Sequence, residues 1–467
     1  MSVMTATVAT TRPPSLLNRE YLPFAVGAVG LVTLGAFENR AVMTVLPTVA
    51  ERLDGVWLFG AASAAPMISF IIATAVAGTW ADRRGPLQPL YAGLGLFVLA
   101  QATMGLAPSM PVFVTARLGG GLAEGLIDVG LVVLMAKALP EELRAKVFAA
   151  FAAAWVLPSV LGPALAGLVA EHFGWRAVFL MAVALVVPTT AMLRPAMART
   201  RAVLPAPTGW TAEERRMVLA AVLVAASLAL LTIGGSLLTR DGSLPLVGAA
   251  ASVAGLAVLA PSLRAVLPPG VLTMGRGIPA VIALRGLVAA AFGLVGAFIP
   301  LMLTTVHGFR PAAAGVSLTV TGLFWSVGSQ LHGLSWTQRT VGPVRRLQIG
   351  FSLIAAGVAG PALLSLDAAP VWLGLSLWAV AGIGMGLSSP TLSTHLLSLS
   401  PAESQGRYTA ASNLTGSIAQ SLTLGAAGAL IAWQAPTLPG WLFAAVMLAG
   451  GLIAVGGAAL ASRADAG

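Results

Sequence analysis

Apolar runs of roughly 20 residues, separated by short polar or Gly/Pro-containing breaks, recur along the whole chain. Each is long enough for an α-helix to cross a hydrocarbon core of ~30 Å. Fourteen helices are predicted this way, near 23–47, 57–80, 88–107, 110–138, 142–170 and 176–195, then 214–238 and 244–264, then 277–306, 312–334, 344–365, 370–399, 403–432 and 440–461. The ~10-residue segments of alternating polarity that mark a membrane β-barrel do not occur in them. The predicted fold class is an all-α polytopic membrane protein.

Composition agrees with the pattern. Only 9% of the 467 residues are charged and 57% are hydrophobic, whereas soluble domains carry about 25% charged residues. The net charge of +10 would suit nucleic acid, but its placement argues otherwise. Most basic residues, among them Arg12, Arg83, Arg84, Arg144, Lys146, Arg215, Arg216, Arg345 and Arg346, fall in or beside loops on one predicted side. That is the positive-inside pattern; it sets both termini in the cytoplasm and makes the lipid bilayer, not nucleic acid, the partner.

Other chemistry is excluded by residue type. There is no cysteine, so disulfides and thiolate chemistry are absent. The two lysines, Lys137 and Lys146, lie in no G-x-x-x-x-G-K-[ST] stretch, which removes a phosphate-cradling loop. His172, His307, His332 and His395 are far apart and show no ligand spacing. No cofactor, metal or catalytic residue is expected, and the chain reads as no enzyme.

The runs group as six, two and six, and the outer groups repeat. GTWADRRGP at 78–86 follows the second run and GLSWTQRTVGP at 333–343 follows the second of the last six; LPEELRAKVFAA at 139–150 and SPAESQGRYTAA at 400–411 each precede a fifth. The expected organisation is a cytoplasmic tail over 1–22, a six-helix half over 23–195, a linker over 196–213, an inserted pair over 214–264, a second half over 277–461 and a tail over 462–467. Thr211 and Glu214 are spaced as a capping box. Trp57, Trp175, Trp372 and Trp441, with Trp80 and Trp336, sit at run ends, where interface-seeking rings are expected.

GTWADRRGP resembles the signature between the second and third helices of the major facilitator superfamily, matching it at Gly78, Asp82, Arg83 and Gly85. FENRAVMTVLP at 37–47 is similar to the first-helix motif of the fourteen-span drug:proton antiporters, with Glu38 at the acidic position and Arg40 in place of threonine. RLGGGLAEG at 117–125 keeps Arg117 and Gly121 of the fourth-helix motif. PSVLGPALAG at 158–167 resembles the fifth-helix motif, keeping Gly162, Pro163 and Gly167, with Pro158 at a glycine position. The resemblance implies two six-helix halves plus an inserted pair, and alternating access. It implies that Asp82 faces the helix opening with SPAESQGR, near Arg407, as a conformational lock. It places Gly162 and Pro163 in a helix-bend motif.

Ionisable residues within spans are costly and so are functional candidates. Glu38, Glu124 and Asp128 are the acids, and Arg117, Gly121, Glu124 and Asp128 share one helical face by spacing. Burial raises a carboxyl pKa and a nearby cation lowers it, so Glu38, Glu124, Asp128 and Arg117 are candidates for proton coupling. Fixed salt bridges between helices are the alternative. Glu38, Arg40, Glu124, Asp128, Arg285, Asn413 and Gln420 are the candidate lining of a substrate cavity.

The expected function is proton-coupled export of hydrophobic or cationic small molecules by a monomer in a bacterial inner membrane. Export or flipping of a lipid or native metabolite is the alternative within transport, and a non-transporting receptor the alternative outside it.

Overall fold

The computed structural model describes residues 21–139, 156–201, 209–238, 244–401, 404–435 and 437–465, together with Asn18, Leu143, Val147, Ala150, Phe151 and Ala154. All regular elements among them are helical. The long helices are α1 (Leu22–Arg52), α2 (Phe59–Arg84), α3 (Leu87–Leu106), α4 (Met110–Ala138), α5 (Val156–Phe173), α6 (Trp175–Arg201), α7 (Ala212–Leu237), α8 (Leu244–Val266), α9 (Ile278–Thr305), α10 (Pro311–Gly333), α11 (Pro343–Ser365), α12 (Val371–Leu399), α13 (Gln405–Gln434) and α14 (Gly440–Leu460). Thirteen helices among the described residues are long and apolar enough to cross a membrane. Most of LPEELRAKVFAA, and residues 239–243 of the loop between α7 and α8, lie outside the described residues.

The packing repeats. In α1–α6, α1 packs on α5 and α6, α2 on α4, and α3 on α4 and α6. In α9–α14, α9 packs on α13 and α14, α10 on α12, and α11 on α12 and α14. The same five pairings thus recur eight helices on. Two seams join the halves, α2 with α13 and α5 with α10, and the repeat exchanges one seam for the other. Helices α7 and α8 pack on each other, with α7 also against α2 and α13, so the pair covers one seam from outside.

The chain's last turn returns to the start of α9, where Gly277 N–H donates to the Arg463 carbonyl at 2.9 Å. This surface also carries the start of α1 and is called the terminal side below. On it, Thr211 and Glu214 form the capping box of α7, with Glu214 accepting from Thr211 N–H at 2.7 Å and Thr211 Oγ1 from Glu214 N–H at 3.2 Å. The same carboxylate pairs with Arg83 at the end of α2, 2.9 Å away. Gly85 ends α2 at φ 80°, ψ 163°, a conformation that a side chain would strain.

The seams close on the opposite side. A Cβ on Gly60 would lie 2.3 Å from the Gly428 Cα, and one on Gly167 would lie 2.3 Å from the Ala312 Cα. Backbones approach this closely only where side chains are absent. Five helical turns along the Gly60 face of α2 is Gly78, where an added Cβ would meet no described atom of a neighbouring element within 4 Å. Asp82, one further turn on, is exposed. On α13, Ala410 and Gly406 occupy the corresponding face; both are exposed, and an added Cβ on Gly406 would meet no described atom of a neighbouring element within 4 Å. The halves therefore meet on the opposite side in both seams, and among the described residues α2 and α13 part toward the terminal side.

Tryptophans divide by environment. Trp336, Trp372 and Trp441 are exposed, as interface rings should be. Trp175 is only 5% exposed and packs edge-on against Phe113 and Phe179, so it is a core residue instead.

Candidate functional site

Proline sets up the first cluster. Pro66 interrupts α2, and since it has no N–H, the carbonyl four residues back, Ala62, lacks its helical donor. Gly121 of α4 packs directly on Pro66, where a Cβ would fall 2.2 Å from the Pro66 carbonyl oxygen. This close approach brings Arg117, one turn earlier on α4, against α2, and its Nε donates to the Ala62 carbonyl at 3.2 Å. Arg117 Nη1 donates to Glu38 Oε1 of α1 at 2.9 Å. Arg117 is 2% exposed and the Glu38 side chain 11%. One guanidinium thus ties together α1, α2 and α4.

Glu38, Glu124 and Asp128 line a narrow cavity of about 30 Å³ inside the first half, walled by Leu31, Phe97, Ile127 and Val186. Glu124 lies within electrostatic reach of Asp128, Glu38 and Arg117. Glu124 is partly buried, and Asp128 is the most accessible of the four side chains. The structure brings together the four residues read as candidates for proton coupling.

A second cluster sits where the halves face each other. The Arg40 guanidinium of α1 lies over the Trp325 ring of α10, 5.7 Å from its centroid. Trp325 meets Phe292 of α9 edge-on at 5.6 Å, and Phe292 stacks on Trp378 of α12 at 5.1 Å. Two turns from Phe292, on the same face of α9, Arg285 donates to Ser389 Oγ of α12 at 2.9 Å. Gln420 packs over Gly293, and Asn413 is exposed on α13. Arg285 takes no part in the acidic cluster, so the substrate-cavity candidates fall into two groups.

Sequence reasoning missed Trp325, Phe292 and Trp378. The signal was available, because Trp325 and Trp378 fall in the middle of apolar runs, away from the interfaces that tryptophan prefers.

The remaining candidates have mainly packing environments in this state. Gly162 faces Phe37 and Arg40 of α1, the Pro163 carbonyl lies under Gly315 of α10, Gly167 abuts Ala312, and Pro158 is buried. An added Cβ on Gly78 would meet no described atom within 4 Å, and the Arg407 guanidinium lies 5.5 Å from the Tyr408 ring centroid. The contact expected of Asp82 needs a closed terminal side, and here that side is parted. Opposite it, α1, α9 and α13 end around a bowl of about 690 Å³ lined by Glu51, Asp54, Trp57 and Phe309. No group of three or more His, Cys, Asp or Glu side chains among the described residues could hold a metal ion.

The family model described as Major Facilitator Superfamily matches residues 28–424. A Mycobacterium tuberculosis protein named "Probable multidrug-efflux transporter" is 28% identical over 441 residues, covering 92% of this chain and 91% of its own. The tetracenomycin C resistance and export protein of Streptomyces glaucescens is 28% identical over 420 residues, covering 85% and 73%. The methylenomycin A resistance protein of Streptomyces coelicolor is 26% identical over 366 residues, covering 75% and 72%. A crystal structure of a POT family transporter with a thioalcohol-conjugated peptide shares the fold, with a TM-score of 0.66 at 15% identity over 93% of this chain and 94% of that one.

Proposed function

The chain belongs to the major facilitator superfamily, and from that premise we propose that it is a proton-coupled exporter of hydrophobic small molecules working by alternating access. It is a multi-pass membrane transporter and not an enzyme. The observation that carries the finer reading is the acidic cavity: Glu38, Glu124 and Asp128 around one water-sized space, with Arg117 as the only cation in the group. Carboxylates this close cannot all stay ionised without cost, so the cluster is suited to taking up and releasing a proton as its access to water changes.

Efflux is the direction supported by the names of the similar proteins, which are resistance and export proteins. The positive-inside distribution supports a cytoplasmic terminal side in a bacterial inner membrane. On that orientation the parted α2–α13 seam opens to the cytoplasm, from which an exporter loads.

The test uses purified protein in liposomes with an imposed pH gradient and a panel of drugs and lipids. Compound-dependent proton flux is expected from the wild type and not from Glu38→Gln, which should remain inserted. Full coupled activity in that variant would remove Glu38 from the coupling step. Proton flux unaffected by every compound would sink the exporter reading.

A further inference from the structure

The second cluster has a charge balance of its own. Arg40 makes no ion pair or hydrogen bond through its side chain among the described residues, and its Nε is buried without an acceptor. Trp378 Nε1, at the other end of the aromatic chain, is likewise buried without an acceptor. Arg285 donates only to Ser389, through the hydroxyl at 2.9 Å and the carbonyl at 3.4 Å. Buried polar groups are normally satisfied, and a buried donor left unpaired is destabilising, more so if charged. Arg117 has a carboxylate partner at 2.9 Å; Arg40 and Arg285 have none among the described residues.

The surroundings are aromatic. Arg40 rests on Trp325, and Trp325, Phe292 and Trp378 form a continuous chain across α10, α9 and α12. Arg40, Trp325 and Arg285 are each partly accessible at mid-helix positions. A guanidinium held over an indole ring keeps in-plane donors that match a carboxylate.

We propose that Arg40 and Trp325, the accessible end of the Trp325–Phe292–Trp378 chain, form a subsite for the anionic group and ring system of an aromatic acid. The oxyanion accepts from the guanidinium edge, and the ligand ring packs on the accessible part of Trp325, which buried Phe292 and Trp378 hold from behind. The acidic cavity within the first half is separate, so proton handling and anion recognition use different residues. Apolar cations are then the poorer ligands of this subsite, although acids also occur elsewhere in the molecule.

This inference rests on the reading that the space between the halves admits small molecules, and a binding measurement separates the two. Purified protein in lipid nanodiscs is dialysed to equilibrium at pH 8 against 2-naphthoate and, separately, against the neutral 2-naphthalenemethanol. Tighter binding of naphthoate to the wild type is expected. Arg40→Gln should weaken naphthoate about tenfold or more, the loss of a charged hydrogen bond, and leave the alcohol within about twofold. Retained binding of the alcohol also shows that the variant is folded. Arg40→Lys should recover part of the preference. Equal binding of the two probes to the wild type, or an equal loss of both in Arg40→Gln, would overturn the subsite. If naphthoate binding depends on Arg40 while no compound drives proton flux, the exporter reading fails and the subsite stands.

Discussion

Arg117 depends on a defect in a neighbouring helix. Pro66 leaves the Ala62 carbonyl without its helical donor, and Arg117 Nε supplies one at 3.2 Å. The second half has the same device with the helices exchanged: Pro390 of α12 leaves the Gly386 carbonyl free, and Ser329 Oγ of α10 donates to it at 3.3 Å. Arg117 has a second task, because its Nη1 holds Glu38. Breaking a buried ion pair costs about 3–5 kcal/mol, and less is expected here because Glu38 keeps 11% exposure beside a cavity. Glu38→Gln and Arg117→Gln should each destabilise the protein, while the double variant loses about 1–3 kcal/mol less than their sum. Reversible detergent denaturation measures this cycle, and strictly additive losses would show that the pair adds nothing beyond its members. The motif residues could be read from the sequence. Their pairing could not, since Arg117 has both Glu38 and Glu124 within reach and only the crossing of α1, α2 and α4 selects Glu38.

At the scale of helices, both seams are built on glycine on one side of the membrane, and among the described residues the α2–α13 seam is open on the other. Gly60 against Gly428 and Gly167 against Ala312 allow backbone contact, so adding bulk there has a defined direction. Gly428→Val puts a branched side chain where Gly60 now sits and should part the opposite side. Asp82→Asn should act the other way: a carboxylate at a helix N-terminus is favourable by about 0.3–1 kcal/mol, and removing it weakens the closed terminal side and favours the state seen here. Spin labels at Asp54 and Thr437 read the first change, and labels at Arg84 and Ala410 the second. Unchanged distances in Gly428→Val would show that the seam does not set the opening, and unchanged distances in Asp82→Asn would remove the lock. The capping box of α7 was evident from Thr211 and Glu214 alone, because both partners lie within one turn. The bond from that same Glu214 to Arg83 spans 131 positions and has no local signature.

For the whole molecule, two pseudo-equivalent halves and a peripheral pair account for the architecture, and α7 is attached to the first half by Arg83 and Glu214. Orientation in the membrane is a separate property, set by charge. With the terminal side in the cytoplasm, the turn between α7 and α8 lies outside, and a cysteine placed at Gly242 in intact cells should react with an impermeant maleimide. Reaction only after permeabilisation would invert or renumber the spans. The sequence by itself determined the helix count, the six-two-six grouping and the membrane setting. These follow from the free energy of transferring each run into lipid and from backbone hydrogen bonds closed within each helix, and both are local quantities. Only the tertiary structure decided which charges pair, which glycines bring helices together, which side is parted, and that Arg40 meets Trp325. Contacts such as Arg40 with Trp325 join residues hundreds of positions apart, and their energies depend on helix crossing and rotation, which periodicity along one helix does not encode.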